Sequence, residues 1–191
     1  MTSVDKHGEG LFALEDQIRE CYGRVVYSHK TYEKMGERCN DRLTHIKLAQ
    51  LIFSAVTTVG VVGLVFTKNS NAYLFGTTIL SLATLGLATY AKDIDPGGSA
   101  QKMKAAANQA WDIRESYLSL LTDMKVGDLS LSDIRQRRDD LQERLNAAHA
   151  SAPQTDAKAY RAAQKALQIN EDLTFGPGEI DQLLPVALRR S

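Results

Sequence analysis

The side chains able to carry chemistry are scattered along this chain. The histidines, His7, His29, His45 and His149, show no HxxxH or HxxE spacing, so no helix turn gathers a metal-ligand pair. No GxxxxGK[ST] phosphate loop, GxGxxG turn or GxSxG nucleophile elbow occurs. The close carboxylate pairs Asp139-Asp140 and Asp93/Asp95 read as a solvated helix face and a turn. Arg135, Arg137 and Arg138 have the forked donors that suit a phosphate-bearing ligand or a partner surface, and Arg135 and Arg138 are the candidate contacts. They interleave with Asp133, Asp139 and Asp140, which also fits a mixed-charge helix face. The sequence therefore predicts no catalytic residue, no metal, no cofactor and no enzyme.

The elements are more informative than the site chemistry. The chain has 191 residues, with Lys plus Arg and Asp plus Glu balanced at 23 each. No global field draws nucleic acid or an acidic substrate, and no direct sequence-specific nucleic acid binding is expected. Charge is strongly segregated: 20 uncharged residues separate Lys47 from Lys68, and 23 more separate Lys68 from Lys92. Leu48 to Phe66 and Ala72 to Ala91 each have about the 20 apolar residues that a bilayer core requires. The connector, Thr67-Lys68-Asn69-Ser70-Asn71, is short and polar, so the two helices are expected to be antiparallel neighbours. The competing reading is a soluble bundle with a greasy hairpin at its centre, favoured by the abundant Ser and Thr in both runs.

Lys30, Lys34, Arg38, Arg42 and Lys47 precede the first span, and Lys92, Lys102 and Lys104 follow the second. The positive-inside bias then predicts both termini in the cytoplasm. Tyr73 and Phe75 at the outer boundary and Tyr90 at the inner one suit interfacial anchoring. The first apolar run begins only after 47 mostly polar residues, so no secretory signal is read. Cys21 and Cys39 lie about 27 Å apart at 1.5 Å per helical residue, too far to bridge, which fits a reducing compartment.

The flanking arms read as helical. Leu11, Leu14, Ile18, Cys21, Val25, Ser28, Tyr32, Met35 and Cys39 recur at 3–4 spacing, a seam that suits either packing within a bundle or a coiled coil between copies. Leu14, Ile18, Val25, Tyr32 and Met35 are the candidate oligomer seam. This helix is expected to run unbroken into the first span. Asp95-Pro96-Gly97-Gly98 reads as a turn with Ser99 as N-cap. A second helix follows with Met103, Ala106, Ala110, Ile113, Tyr117, Leu120 and Met124 on one stripe. A third, Leu131 to Ala148, is capped by Ser130 with Asp133 and carries Ile134, Leu141 and Leu145. A fourth, Thr155 to Ile169, presents Tyr160, Ala163 and Leu167, and a short helix spans Glu179 to Leu184.

The predicted fold is all-α: a two-helix transmembrane hairpin continuing into a cytoplasmic helical bundle. It divides into an amphipathic arm (1–47), the hairpin (48–91, spans 48–66 and 72–91) and a helical region (92–191). Within the spans, Ser54, Thr57 and Thr58 line one side of the first, with Gln50. Thr77, Ser81 and Thr84 line one stripe of the second, with Ala88. Such stripes either glue the hairpin together or line a pore built from several subunits. No charged residue lies within either span, which disfavours a proton relay or charged filter.

Three features together resemble a known family. They are the arm Cys21-Tyr22 through Tyr27-Ser28-His29-Lys30-Thr31-Tyr32-Glu33 leading into Lys47-Leu48-Ala49-Gln50-Leu51, the polar-connected span pair, and the tail Leu173-Thr174-Phe175 with Glu179-Ile180-Asp181-Gln182-Leu183-Leu184-Pro185. This pattern, from about Leu11 to Leu188, is similar to the SLATT family, two-transmembrane effector domains of bacterial conflict systems. The resemblance implies genes encoded beside nucleotidyltransferases that make a nucleotide second messenger, nucleotide-sensing SLOG domains or reverse transcriptases. It implies an effector that disrupts the inner membrane during phage infection, with no catalytic residues. The expected partners are therefore the lipid bilayer, further copies of the chain in a homo-oligomer, and a nucleotide signal or a co-encoded sensor. A membrane-anchored scaffold that recruits a partner protein is the alternative.

Overall fold

The computed structural model describes residues 3–66, 71–186 and 189, with no strand among them. Helix α1 spans Ser3–Phe66, α2 Asn71–Ile94, α3 Pro96–Val126, α4 Leu131–Ser151, α5 Ala157–Gln168 and α6 Glu179–Leu183. The expected continuity of arm and first span is present, because nothing between Leu43 and Leu48 removes a backbone donor or favours a turn. The connector residues 67–70 and the side chain of Tyr73 lie outside the described residues. The chain divides into two compact units: Met1–Lys34 with Ala105–Ser191, and Met35–Lys104.

In the first unit the expected stripes meet in one core. Leu14, Ile18, Cys21 and Val25 of α1, Ala110, Ile113, Tyr117 and Leu120 of α3, and Ile134 and Leu141 of α4 are buried together. Ion pairs Arg137–Asp123, at 2.7 Å, and Arg144–Asp112 show that α3 and α4 run antiparallel, as their four-residue connection requires. Ser130 caps α4 as expected, its Oγ accepting the Asp133 N–H at 3.2 Å. Tyr117 is fully buried, and burial, with the Cys21 thiol beside it, pushes its phenol up to about 12. It is therefore a neutral core residue across the physiological range.

Two local expectations are corrected. The stretch after Ile94 is a single-residue joint rather than a turn capped by Ser99. Helix α3 already begins at Pro96, and the Asp95 carboxylate accepts the Gly98 N–H at 3.0 Å. Proline is preorganised for a first helical turn and Asp is a strong N-cap, so Asp95-Pro96 outcompetes Ser99, which falls inside the helix. Asp95 itself takes φ 41°, which its short polar side chain tolerates. In α5 the buried face is Ala159, Ala163 and Ala166, while Tyr160 is half exposed and Leu167 only partly covered. Alanines let the helix backbone approach closely, and Tyr160 turns aside to stack on Tyr27, ring centroids 5.9 Å apart.

The second unit is a helical hairpin formed by the latter part of α1 with α2, joined by the first turns of α3. Its pairing is antiparallel: Gly60 faces Thr77, and Arg42 Nη2 donates to Tyr90 Oη at 2.5 Å with its guanidinium over the same ring. A Cβ at Gly60 would stand 2.7 Å from Thr77 Cγ2, so the glycine sets the closest approach of the two helices. Gly36 lies against Met103 and Gly97 against Leu43, where an added Cβ would make ordinary van der Waals contact at 3.4 and 3.5 Å. Leu51, Val59, Phe75, Ile79, Leu82 and Leu85 are exposed. In the most apolar windows of α1 and α2, 6% and 0% of residues are buried within the protein. A greasy hairpin at the centre of a soluble bundle would be mostly buried. These side chains instead form the outer surface that hydrocarbon covers.

Truncating the two kinds of apolar residue separates the two environments. Ile18→Ala, at a fully buried position, is expected to destabilise the bundle by about 2–5 kcal/mol. Phe75→Ala, 72% exposed, is expected to leave bundle stability unchanged. Denaturant melts of the detergent-solubilised protein measure both.

Candidate functional site

The hydroxyl residues come together inside the hairpin. Ser54, Thr57 and Thr58 of α1 and Ser81 and Thr84 of α2 line one open groove of about 580 Å³, with Val61, Val62, Leu85 and Ala88. Thr77 lies outside the groove lining, at the close contact with Gly60. The threonine protons are used within their own helices: Thr57 donates to Phe53 O at 2.8 Å, Thr58 to Ser54 O at 2.9 Å, Thr77 to Leu74 O at 3.1 Å and Thr84 to Leu80 O at 2.8 Å. This back-bonding hides the donors from hydrocarbon and leaves oxygen lone pairs as the polarity the side chains present.

The arm seam is placed differently. Of its two readings, packing within the chain's own bundle accounts for Leu14, Ile18, Cys21 and Val25. They are at most 6% exposed in the single chain. Tyr32 and Met35 are partly exposed, with Tyr32 edge-on to His149 at 6.4 Å. Of the arginines, Arg138 is engaged, donating to Gln17 Oε1 at 2.9 Å and twice to Asp139 Oδ1. Arg137 pairs with Asp123, and Arg135 is exposed. Among the described residues no cluster of His, Cys, Asp or Glu is able to hold a metal ion.

A polar cluster that the sequence did not reveal lies in the first unit. His29, Lys30, Thr31 and Arg114 are buried. Three successive buried positions cover most of a helix turn, so α1 is enclosed there on more than one side. Lys30 Nζ bridges Glu33 Oε2 at 2.8 Å and Asp172 Oδ2 at 2.7 Å. Arg114 lies over the Trp111 ring at 4.3 Å, and His29 meets that ring edge-on at 5.3 Å. The available signal was register. Arg114 falls four residues after buried Ala110 and three before buried Tyr117, and His29 falls four after buried Val25, so each stripe carried a polar residue inward.

The charges respond to this packing. Burial pulls His29 below its ordinary value, with Arg114 and Lys30 adding to the effect against the pull of Glu33, so it is neutral at pH 7. Burial also opposes the Lys30 charge, but the bonds from Asp172 and Glu33 outweigh it, and its ammonium is held above its ordinary value. The Lys30 hydrogen bond holds the Asp172 carboxyl below its ordinary 3.8. The loop around Asp172 is strained: Glu171 and Leu173 take φ 55° and 68°, left-handed backbone that costs a non-glycine residue about 1–2 kcal/mol.

An all-helical chain with one lipid-facing hairpin and a water-facing bundle is a two-span membrane protein. Residues 14–179 match the family SLATT_4, SMODS and SLOG-associating 2TM effector domain family 4. The chain belongs to this family. Neither a curated protein nor a solved structure matches it.

The Lys30–Asp172 tie has a defined pH window. Asp172, with its lowered folded value, contributes stability above the ordinary carboxyl range and loses it as pH falls through that lowered value. Lys30, with its raised value, contributes fully below its ordinary 10.5 and loses it as pH rises through the folded value. The stability difference between wild type and Asp172→Asn is therefore expected to be flat through neutral pH and to shrink towards zero in acid. Denaturant melts across pH measure it.

Proposed function

We propose that this protein is a membrane effector of bacterial antiphage immunity that oligomerises through its helices to form a pore or disrupt the inner membrane on a cytoplasmic signal. The hydroxyl-lined groove on an otherwise lipid-facing hairpin carries this reading. Two helices enclose no conduit, so the pore needs several subunits, with Ser54, Thr57, Thr58, Ser81 and Thr84 turned to its lumen. Thr77 then holds the hairpin together beside Gly60.

Family membership supports the effector role, since the family's description joins a 2TM effector to SMODS and SLOG partners. In this reading residues 48–91 are the membrane segment, and 1–47 and 92–191 are cytoplasmic, as the flanking lysines and arginines require. The bundle receives the signal, from a nucleotide second messenger or a co-encoded sensor. That signal acts by binding the open arrangement more tightly than the closed one.

A second reading has its own observation. The groove threonines already donate to their own helices, which also suits simple hairpin packing under a scaffold that recruits a partner protein. Replacing the hairpin with an unrelated two-span anchor separates the two: a scaffold keeps its activity and a pore loses it.

Expression during phage challenge is expected to depolarise cells before lysis, followed with a voltage-sensitive dye. Ser81 and Thr84 replaced together by Leu should abolish depolarisation while membrane insertion is unchanged. Wild-type depolarisation in that variant removes these residues from the conducting path. Reporter fusions at both ends are expected to show both termini in the cytoplasm, and a periplasmic signal from either end overturns the orientation.

A further inference from the structure

We propose that α5 and the loop after it form a detachable latch on α1, with Asp172 as its catch. Three of its contacts fall on one short stretch of α1. Tyr160 stacks on Tyr27 at 5.9 Å, Gln168 Nε2 donates to Tyr27 Oη at 2.7 Å, and Asp172 takes the buried Lys30 ammonium at 2.7 Å. Between these points the fully buried residues of α5 are alanines, Ala159, Ala163 and Ala166, with Leu167 partly covered. Alanines bury little apolar area, so this helix is held far more by its polar and aromatic ends than α3 or α4 are.

The catch is also under tension. Asp172 stands between Glu171 and Leu173, both non-glycine residues in left-handed backbone, and its own N–H donates to Ala166 O at 2.9 Å. Strain of this kind persists only where surrounding contacts impose it, and it is released when they break. A segment with a small buried apolar face, a charge-assisted tie and stored strain opens as a local unit ahead of the rest of the bundle. Opening removes the Lys30 bridge to Asp172 and uncovers the Tyr27–Glu33 face of α1, the same helix that continues to Phe66.

Hydrogen–deuterium exchange on the full chain in detergent micelles tests it. In wild type, amides of 157–173 are expected to exchange at least tenfold faster than those of α3 and α4 in the first unit. Asp172→Asn is expected to raise that exchange at least another tenfold while α3 and α4 stay unchanged. Glu171→Gly with Leu173→Gly, which removes the left-handed strain while keeping the catch, is expected to slow it. Exchange of 157–173 that follows α3 and α4 in wild type, or that rises with them in Asp172→Asn, overturns the latch. So does a double-glycine variant whose exchange is as fast as that of Asp172→Asn.

Discussion

One helix has to satisfy two solvents. Over Leu14 to Val25, α1 buries an apolar stripe against α3 and α4 and turns its charges to water. Over Leu48 to Val62 its exposed surface is nearly all apolar. Hydrocarbon offers no partner to a backbone amide, so the spanning part must keep every hydrogen bond within its own helix. An uninterrupted helix meets both demands with one conformation, and only the side chains change. The other elements follow from this: α2 covers part of the apolar length, and α3 and α4 cover the amphipathic part.

The polar groups are handled differently in the two environments. In the hairpin each groove threonine returns its proton to its own helix, so polarity is muted locally, residue by residue. In the bundle, polarity is met across the fold, with Lys30 held by an acid from the tail and Arg114 laid over Trp111. A buried ammonium is costly without its partner, which gives the tail loop an influence on α1 through a single acid.

Much of the fold was legible because it is written in short-range periodicity. The stripe Met103, Ala106, Ala110, Ile113, Tyr117, Leu120 and Met124 needs only a 3.6-residue period to be seen, and all of it is buried except Met124, which is partly so. The Ser130 cap was equally plain. Reading the seam at Ser28 missed the inward turn of His29, Lys30 and Thr31, because His29 meets Trp111 and Lys30 meets Asp172, both far away in sequence. The face of α5 was read correctly at Ala163 and wrongly beside it: Tyr160 and Leu167 looked like core, and Ala159 and Ala166 proved to be it. The groove hydroxyls were visible as stripes, but that Thr77 stands apart at Gly60 required coordinates. The Lys30–Asp172 pair was beyond reach, since neither residue carries any local mark of the other.

The joint at Asp95 has a mechanical consequence. A flexible linker would absorb a turn or a slide of α2 before it reached the next helix. Here a single residue separates Ile94 from Pro96, its carboxylate is tied to the Gly98 amide, and the proline ring fixes one torsion on the far side. Such a joint has almost no slack. Any piston stroke or roll of α2 in the bilayer is handed to the first turn of α3 as a crank hands on rotation, with little lost in between.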